Sequence, residues 1–206
     1  FALAARVAQT DTTVLLTGES GVGKEIVARY INNHSARRSG PFVAINCAAI
    51  PDSLLEATLF GYEKGAFTGA QQAQAGKFEQ AQSGTLLLDE VTEMPLGLQA
   101  KLLRVLQERE VERVGGKKPV ALDIRLIATS NRDMAEAVAK GVLREDVYYR
   151  LNVFPLLIPA LRQRPDDIVP LATHFLAEHG GRSGRSGLRL APSAEIALRR
   201  HAWPGN

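Results

Sequence analysis

Residues 13–25 read TVLLTGESGVGKE, an apolar run followed by G-x-x-x-x-G-K and then by a helical pattern at Glu25–Tyr30. The context decides the reading. A glycine-rich turn between a buried strand and a helix N-terminus aims successive backbone N–H groups at an anion, and the lysine adds a point charge. Gly18, Glu19, Ser20, Gly21, Val22, Gly23 and Lys24 are therefore expected to cradle the phosphates of a nucleotide. The competing explanation is a tight turn with a surface lysine, and the second motif argues against it. Where a Ser or Thr usually follows the lysine to hold Mg²⁺, this chain has Glu25. Its carboxylate is also a hard oxygen donor, acting directly or through water.

That second motif is GTLLLDE, residues 84–90, an apolar strand ending in two acids. Ligands of parallel sheets bind outside the C-terminal ends of the strands, which favours chemistry over a surface ion pair for Asp89 and Glu90. Asp89 is expected to hold Mg²⁺ directly or through water. Glu90 is expected to orient or deprotonate the water that attacks a γ-phosphate. The run ALDIRLIATSN, residues 121–131, ends in Thr129, Ser130 and Asn131. These either hydrogen-bond the γ-phosphate or its water, or form a plain strand-end turn.

Around the two motifs, β-rich runs at Thr13–Thr17, Phe42–Asn46, Thr85–Asp89, Leu122–Thr129 and Phe154–Ile158 alternate with helical segments. The alternation predicts an α/β fold with a parallel sheet and helices on both faces. Pro95–Glu108 opens on a helix-starting proline and spaces Leu98, Leu102, Val105 and Leu106 as one apolar stripe. From Pro165 the pattern turns helical, with Ile168, Leu171, Ala172, Phe175 and Leu176 as a stripe. Residues 1–164 are thus expected to form a nucleotide-binding subdomain and 165–206 the start of an α-helical lid. GGRSGRSG, Gly180–Gly187, is expected to be a flexible, solvated link before a helix from Pro192 to about His201.

Composition fits a soluble globular chain: 206 residues, 45% hydrophobic and 23% charged. A formal charge of +3, from 25 Lys and Arg against 22 Asp and Glu, is too small to predict a nucleic-acid-coating surface. No apolar run approaches the roughly 20 residues needed to cross a bilayer, and the single cysteine, Cys47, forms no disulfide framework. A cytoplasmic location without membrane attachment is expected, and Phe1 without an initiator Met is expected to belong to a longer protein. Cys47 reads as a small buried core residue. His34, His174, His179 and His201 lack metal-ligand spacing, and Trp203 reads as a packing anchor before the Pro204–Gly205 turn.

One stretch remains, LFGYEKGAFTGA at residues 59–70. On composition, Gly65, Ala66, Phe67, Thr68, Gly69 and Ala70 form either a mobile loop presenting an aromatic ring or a turn whose Phe tucks into the core. Together with GESGVGKE (18–25), FVAINCAAI (42–50), GTLLLDE (84–90), LQAKLLRVLQE (98–108), LREDVYYRLNV (143–153), LRQRPDDI (161–168) and WPGN (203–206), it resembles the central AAA+ domain of bacterial enhancer-binding proteins. These are the activators of sigma-54 RNA polymerase, and GAFTGA is close to diagnostic of them among AAA+ proteins. EATLFGYEKG with ATSNRD is most similar to the two-component activators of flagellar genes.

The resemblance implies an ATPase that uses ATP and Mg²⁺ and assembles as a hexameric or heptameric ring. The residues at positions 65–70 would contact the sigma-54 holoenzyme, chiefly Phe67 and Thr68, to drive promoter opening. Lys24 would bind phosphate, Asp89 and Glu90 would form the Mg²⁺ and hydrolysis pair, and Asn46 would restrain Glu90. Asn131 would sense the γ-phosphate, and Arg144 and Arg150 would act on ATP of the neighbouring subunit. Six residues apart on a helix, these two arginines would project from different faces. Enhancer DNA would be bound by a domain outside this chain, as would the receiver, and the family's second sensor arginine follows WPGN. Val22 for Thr, Tyr62 for His and ATSN for AATN depart from the family pattern without removing a charged catalytic group.

Overall fold

The computed structural model describes residues 2–185 and 187–206. In chain order its helices are α1 (Ala2–Ala8), α2 (Lys24–Asn33), α3 (Asp52–Phe60), α4 (Lys77–Gln80), α5 (Leu96–Glu108), α6 (Met134–Ala139), α7 (Glu145–Leu151), α8 (Ile168–Arg182) and α9 (Pro192–Arg200). The strands are β1 (Val14–Thr17), β2 (Phe42–Asn46), β3 (Gly61–Tyr62), β4 (Gln74–Ala75), β5 (Thr85–Asp89), β6 (Glu110–Glu112), β7 (Pro119–Ala121), β8 (Arg125–Ser130) and β9 (Phe154–Leu157). The chain divides into two compact units, one of Phe1–Thr17 with Gly23–Leu157 and one of Gly18–Val22 with Ile158–Asn206.

In the first unit β1, β2, β5, β8 and β9 form one parallel sheet in the order β2-β5-β8-β1-β9. Alternation along each strand sorts the side chains between its faces. Leu15, Leu86, Leu88, Leu126 and Ala128 join the main core with Leu59, Leu98, Leu102 and Val147, while Val14, Leu16, Leu87 and Ile127 are equally buried on the opposite parity. Two-sided burial explains why these strands read as continuous apolar runs. The apolar stripe of α5 is buried as its spacing predicts, with Pro95 standing one residue outside the helix as its N-cap.

Two elements differ from expectation. The fourth sheet strand, β8, was expected from Leu122 but starts at Arg125, because residues 119–121 pair antiparallel with Glu110–Glu112 and the Leu122 N–H donates to Arg109 O at 2.7 Å. That hairpin and the β3–β4 pair each have only two or three residues per strand, too short for a legible alternation.

In the second unit α8 continues through Gly180, Gly181 and Arg182, which were expected in the link. Gly184, at φ 69°, closes the helix: its N–H donates to Gly181 O at 3.2 Å, and the Arg185 N–H reaches back to Gly180 O at 2.8 Å. This pair of bonds satisfies the last carbonyls of the helix, so the glycines serve as a C-terminal cap. Ser186, within the expected link, lies outside the described residues. Of the expected α8 stripe Ile168 is buried, Leu171, Ala172 and Leu176 are half-buried, and Phe175 is exposed, its ring against those of His174 and His179. The Trp203 indole N–H donates to Leu198 O at 2.8 Å, tying the final turn to α9. No helix among the described residues is long and apolar enough to cross a membrane.

Arg125, at the start of β8, is fully buried, and its guanidinium donates to Ala8 O at 3.1 Å and Val7 O at 2.8 Å. A cation at the C-terminal end of α1 satisfies orphan carbonyls and matches the helix dipole. Arg125→Met is expected to lower unfolding stability by about 2–4 kcal/mol, because two buried carbonyls lose a charged donor. It should also speed amide exchange over Ala2–Ala8. Unchanged protection there would show that apolar contacts alone hold α1.

Candidate functional site

The ends of β2, β5 and β8 bring the acidic motif together in the first unit. Glu90 follows the last residue of β5 with φ 54° and ψ 54°, a left-handed conformation uncommon for a non-glycine residue. The neighbouring strand holds it there. The Glu90 N–H donates to Thr129 Oγ1 at 2.9 Å, and the Thr129 hydroxyl donates to Asp89 Oδ1 at 2.6 Å. The Asn131 N–H donates to Glu90 Oε2 at 2.9 Å, and Lys24 Nζ lies 3.3 Å from Glu90 Oε1. Lys24 is 7% exposed and Glu90 13%, so this pair is well shielded from water.

Asn46 is placed differently from its implied role. Its Oδ1 accepts from the N–H groups of Ala48 at 2.9 Å and Ala49 at 3.1 Å, which turns the amide nitrogen outward. That nitrogen donates to Asp89 Oδ2 at 2.9 Å. In this structure Asn46 therefore orients Asp89, and Lys24 and the Asn131 N–H hold Glu90.

Thr129 and Ser130 are fully buried. Thr129 braces Asp89 and Glu90, and the Ser130 hydroxyl lies 3.1 Å from that of Thr92 and accepts from the Arg132 N–H at 3.0 Å. Thr129 thus supports the acids, whereas Ser130 braces Thr92 and the Arg132 backbone, and strand-end spacing specifies neither role. The Asn131 side chain is exposed at the same end.

Other expected site residues lie apart from this centre. Glu25, half exposed in the first turn of α2, accepts from Arg29 Nε at 2.9 Å and Nη2 at 2.7 Å. Arg144 caps α7 in an extended conformation, ψ 137°, and pairs with Asp146 at 2.8 Å. It is not in the helix, so a helical rotation between Arg144 and Arg150 does not describe their geometry. Arg150, in the last turn of α7, donates to Leu106 O at 2.9 Å. Neither guanidinium pairs with Asp89 or Glu90.

A divalent cation fits the donor chemistry. Each Asp89 oxygen takes one hydrogen bond and retains a further lone pair. Among the described residues no group of three or more His, Cys, Asp or Glu forms a metal cage. Mg²⁺ needs none, because it commonly binds through one or two carboxylates, phosphates and water. Cys47 is buried next to the acids, and burial, then Asp89 and Glu90, push its thiol up to about 12. It stays protonated and unreactive at neutral pH.

Residues 65–70 form a closed loop above the β3–β4 pair. Gly65 and Gly69 take φ 83° and 104°, the Gly65 N–H donates to Ala70 O at 2.9 Å, and the Ala70 N–H donates to Phe67 O at 3.0 Å. Thr68 is exposed, Phe67 is 45% exposed, and its ring leans on Tyr62 at 4.9 Å between centroids. The ring is presented rather than tucked into the core. Tyr62 is fixed in turn by its hydroxyl, which donates to Gln74 at 2.7 Å.

The first five residues of the glycine-rich loop group with the second unit, where Arg162, Arg164 and Asn206 surround them. Gly21 is required by position, since at φ 83° a Cβ would come within 2.4 Å of Gly205 O. These three polar residues lie within LRQRPDDI and WPGN, but nothing in their spacing signals a loop contact.

The sequence profile of the sigma-54 interaction domain matches residues 1–157, and that of the AAA+ ATPase lid domain matches residues 162–206. The chain is 64% identical to the response regulator FleR of Pseudomonas aeruginosa over 99% of its own length and 43% of that protein's. It is 53% identical to the transcriptional regulatory protein FlbD of Caulobacter vibrioides over 99% of its length and 45% of that protein's. The crystal structure of NtrX from Brucella abortus in complex with ATP superposes with a TM-score of 0.90 at 40% identity, covering all of this chain and 46% of that one. The chain thus spans less than half the length of these relatives. It belongs to the sigma-54 interaction domain family, as a P-loop module of AAA+ fold followed by its helical lid segment.

Proposed function

We propose that this chain hydrolyses ATP and uses the cycle to move the Gly65–Ala70 loop against sigma-54 RNA polymerase holoenzyme, so that promoter DNA opens. The observation that carries the reading is the Lys24–Glu90 pair beside an Asp89 braced by Asn46 and Thr129. A triphosphate brings several negative charges to Lys24 against the single charge of Glu90, so it wins the lysine. Release leaves Glu90, still positioned by the Asn131 N–H, to orient or deprotonate a water. Asp89 holds Mg²⁺, which when bound neutralises charge on the phosphate oxygens. Glu25, turned to Arg29, acts at most through water. Asn131 senses the γ-phosphate, Arg144 and Arg150 serve a neighbouring subunit of a ring in the cytoplasm, and enhancer DNA is bound through a domain outside this chain.

Lys24→Ala is expected to lose ATP binding, whereas Glu90→Gln keeps it and loses turnover by at least about a hundredfold, as for removal of a general base. Titration with a fluorescent ATP analogue and a phosphate-release assay separate the two effects. Equal ATP affinity for Lys24→Ala and wild type would remove the phosphate-loop assignment.

Thr68→Ala, exposed and away from the acids, should leave ATP hydrolysis within about twofold of wild type, as surface substitutions commonly do. It should abolish sigma-54-dependent open-complex formation by the full-length protein. Collapse of hydrolysis in a folded variant would make the loop structural.

Mixing tests the arginines. Lys24→Ala and Arg150→Ala subunits should each be inactive, and titrating one into the other should restore hydrolysis, with a maximum at intermediate ratios. Arginine fingers contribute on the order of 10³–10⁵ in rate, so restoration is readily measured. Arg144→Ala in the same mixture reports on its own role. Mixed rings that form and stay inactive would place both arginines outside trans catalysis.

A further inference from the structure

Within the second unit, the segments at 161–164 and 203–206 hold residues 19–22 of the phosphate loop directly. Arg162 addresses the Glu19 carboxylate through both terminal nitrogens, with Nη1 at 2.8 Å from Oε2 and Nη2 on Oε1. The Asn206 amide donates to the same carboxylate at 3.3 Å and to Ser20 O at 2.9 Å, while its Oδ1 accepts from the Leu161 N–H at 2.7 Å. Arg164 Nη2 donates to Val22 O at 2.8 Å.

Peptide geometry turns these contacts into a statement about anion binding. In a trans peptide the C=O and the following N–H point in opposite directions. Fixing Ser20 O and Val22 O on one side therefore fixes the N–H groups of Gly21 and Gly23 toward the other. Gly21 and Gly23 have φ of 83° and 96°, the left-handed conformations from which anion-binding nests are built. Charge adds a second requirement. Glu19 places a carboxylate inside a loop meant for a polyanion, and unpaired it would repel the ligand.

We propose that Arg162, with Arg164 and Asn206, is a positioning group for the phosphate loop, preorganising its N–H groups and neutralising Glu19 so that the loop favours a triphosphate. The inference rests on the reading of residues 18–24 as a nucleotide loop. It assigns the segments at 161–164 and 203–206 a role in nucleotide selectivity. The Glu19 carboxyl is held below the ordinary range for a glutamate, first by Arg162 and then by Asn206, so it is charged whenever nucleotide binds at neutral pH. The pair is about half exposed, and exposed pairs add little to folding stability. Variants are accordingly expected to fold.

The test is equilibrium binding of fluorescent ATP and ADP analogues to the protein and its variants, with circular dichroism to verify folding. Arg162→Ala should weaken ATP by about tenfold and ADP by roughly threefold, the larger loss falling on the more highly charged ligand, and both losses should shrink in high salt. Glu19→Gln, which keeps the shape and removes the charge, should bind ATP at least as tightly as wild type. Adding Glu19→Gln to Arg162→Ala should restore the ATP-to-ADP ratio. Absence of binding by folded wild type would overturn the phosphate-loop reading itself. If wild type binds, Arg162→Ala with unaltered affinity overturns the inference alone. So does an equal loss for both nucleotides that Glu19→Gln does not rescue, since a merely structural arginine would give that result. Should Arg162→Ala misfold, ATP binding weakened by Glu19→Gln in a folded protein overturns it equally.

Discussion

A shielded lysine ammonium 3.3 Å from a shielded carboxylate, Lys24 against Glu90, is the interaction on which the rest of this centre is arranged. Taking both charges out of water is costly, and their attraction offsets that cost only when further polar contacts are in place. Those contacts are present. The Glu90 carboxylate has the Asn131 N–H, its backbone N–H has Thr129, and Thr129 in turn steadies Asp89. Parallel pairing of β5 with both β2 and β8 brings Asn46 and Thr129 to opposite sides of Asp89. Sheet order, rather than proximity in sequence, assembles the four groups. The left-handed backbone at Glu90 is the local cost of turning a strand-end residue toward the lysine, borne at the position where chemistry is expected.

Much of this architecture is visible in the sequence for a definite reason. Strands buried on both faces produce uninterrupted apolar runs such as the LLL of residues 86–88, and a helix covering them produces the Leu98, Leu102, Val105 and Leu106 stripe. Burial writes itself into composition at such positions. The two-residue β3 and β4 strands bury too little to leave a pattern, and the Gly180–Arg182 turn of α8 carries glycines whose helical state depends on the cap formed by Gly184. Within the site, residue types and positions were legible but pairings were not. The family resemblance implies that Asn46 lies near the acids, and only the two N–H groups on its Oδ1 determine that the amide faces Asp89 rather than Glu90. Likewise, Thr129 reads as a phosphate ligand or a turn, and its position beneath Asp89 is set by register with β5, a long-range property. The hold of Arg162 and Asn206 on Glu19 spans 143 and 187 residues of chain, beyond any local signal.

A single continuous stretch of chain joins the acids' neighbour Asn46 to the loop at residues 65–70. Asn46 ends β2, and the turn that anchors its Oδ1 leads through Pro51 into α3. That helix is about 13 Å long at 1.5 Å per residue and carries Leu55, Leu59 and Phe60 into the core before passing into β3. The chain therefore runs from Asn46, bonded to Asp89, through a packed helix to Gly61 and Tyr62 at the base of the loop. Tyr62 carries the Phe67 ring, and its backbone neighbours are bonded to the hairpin tip: the Val114 N–H donates to Gly61 O at 2.9 Å and the Glu63 N–H donates to Val114 O at 3.0 Å. Beside that tip, Arg113 joins Glu63 and Glu79, so the base of the loop is clamped from two sides while Thr68 and Phe67 face solvent. The loop thus combines a base tied down by backbone and ionic contacts with a crest, Phe67 and Thr68, open to solvent. Gly65 and Gly69 stand at the two junctions between base and crest, where their positive φ values turn the chain in a conformation that glycine adopts without the steric penalty of a Cβ.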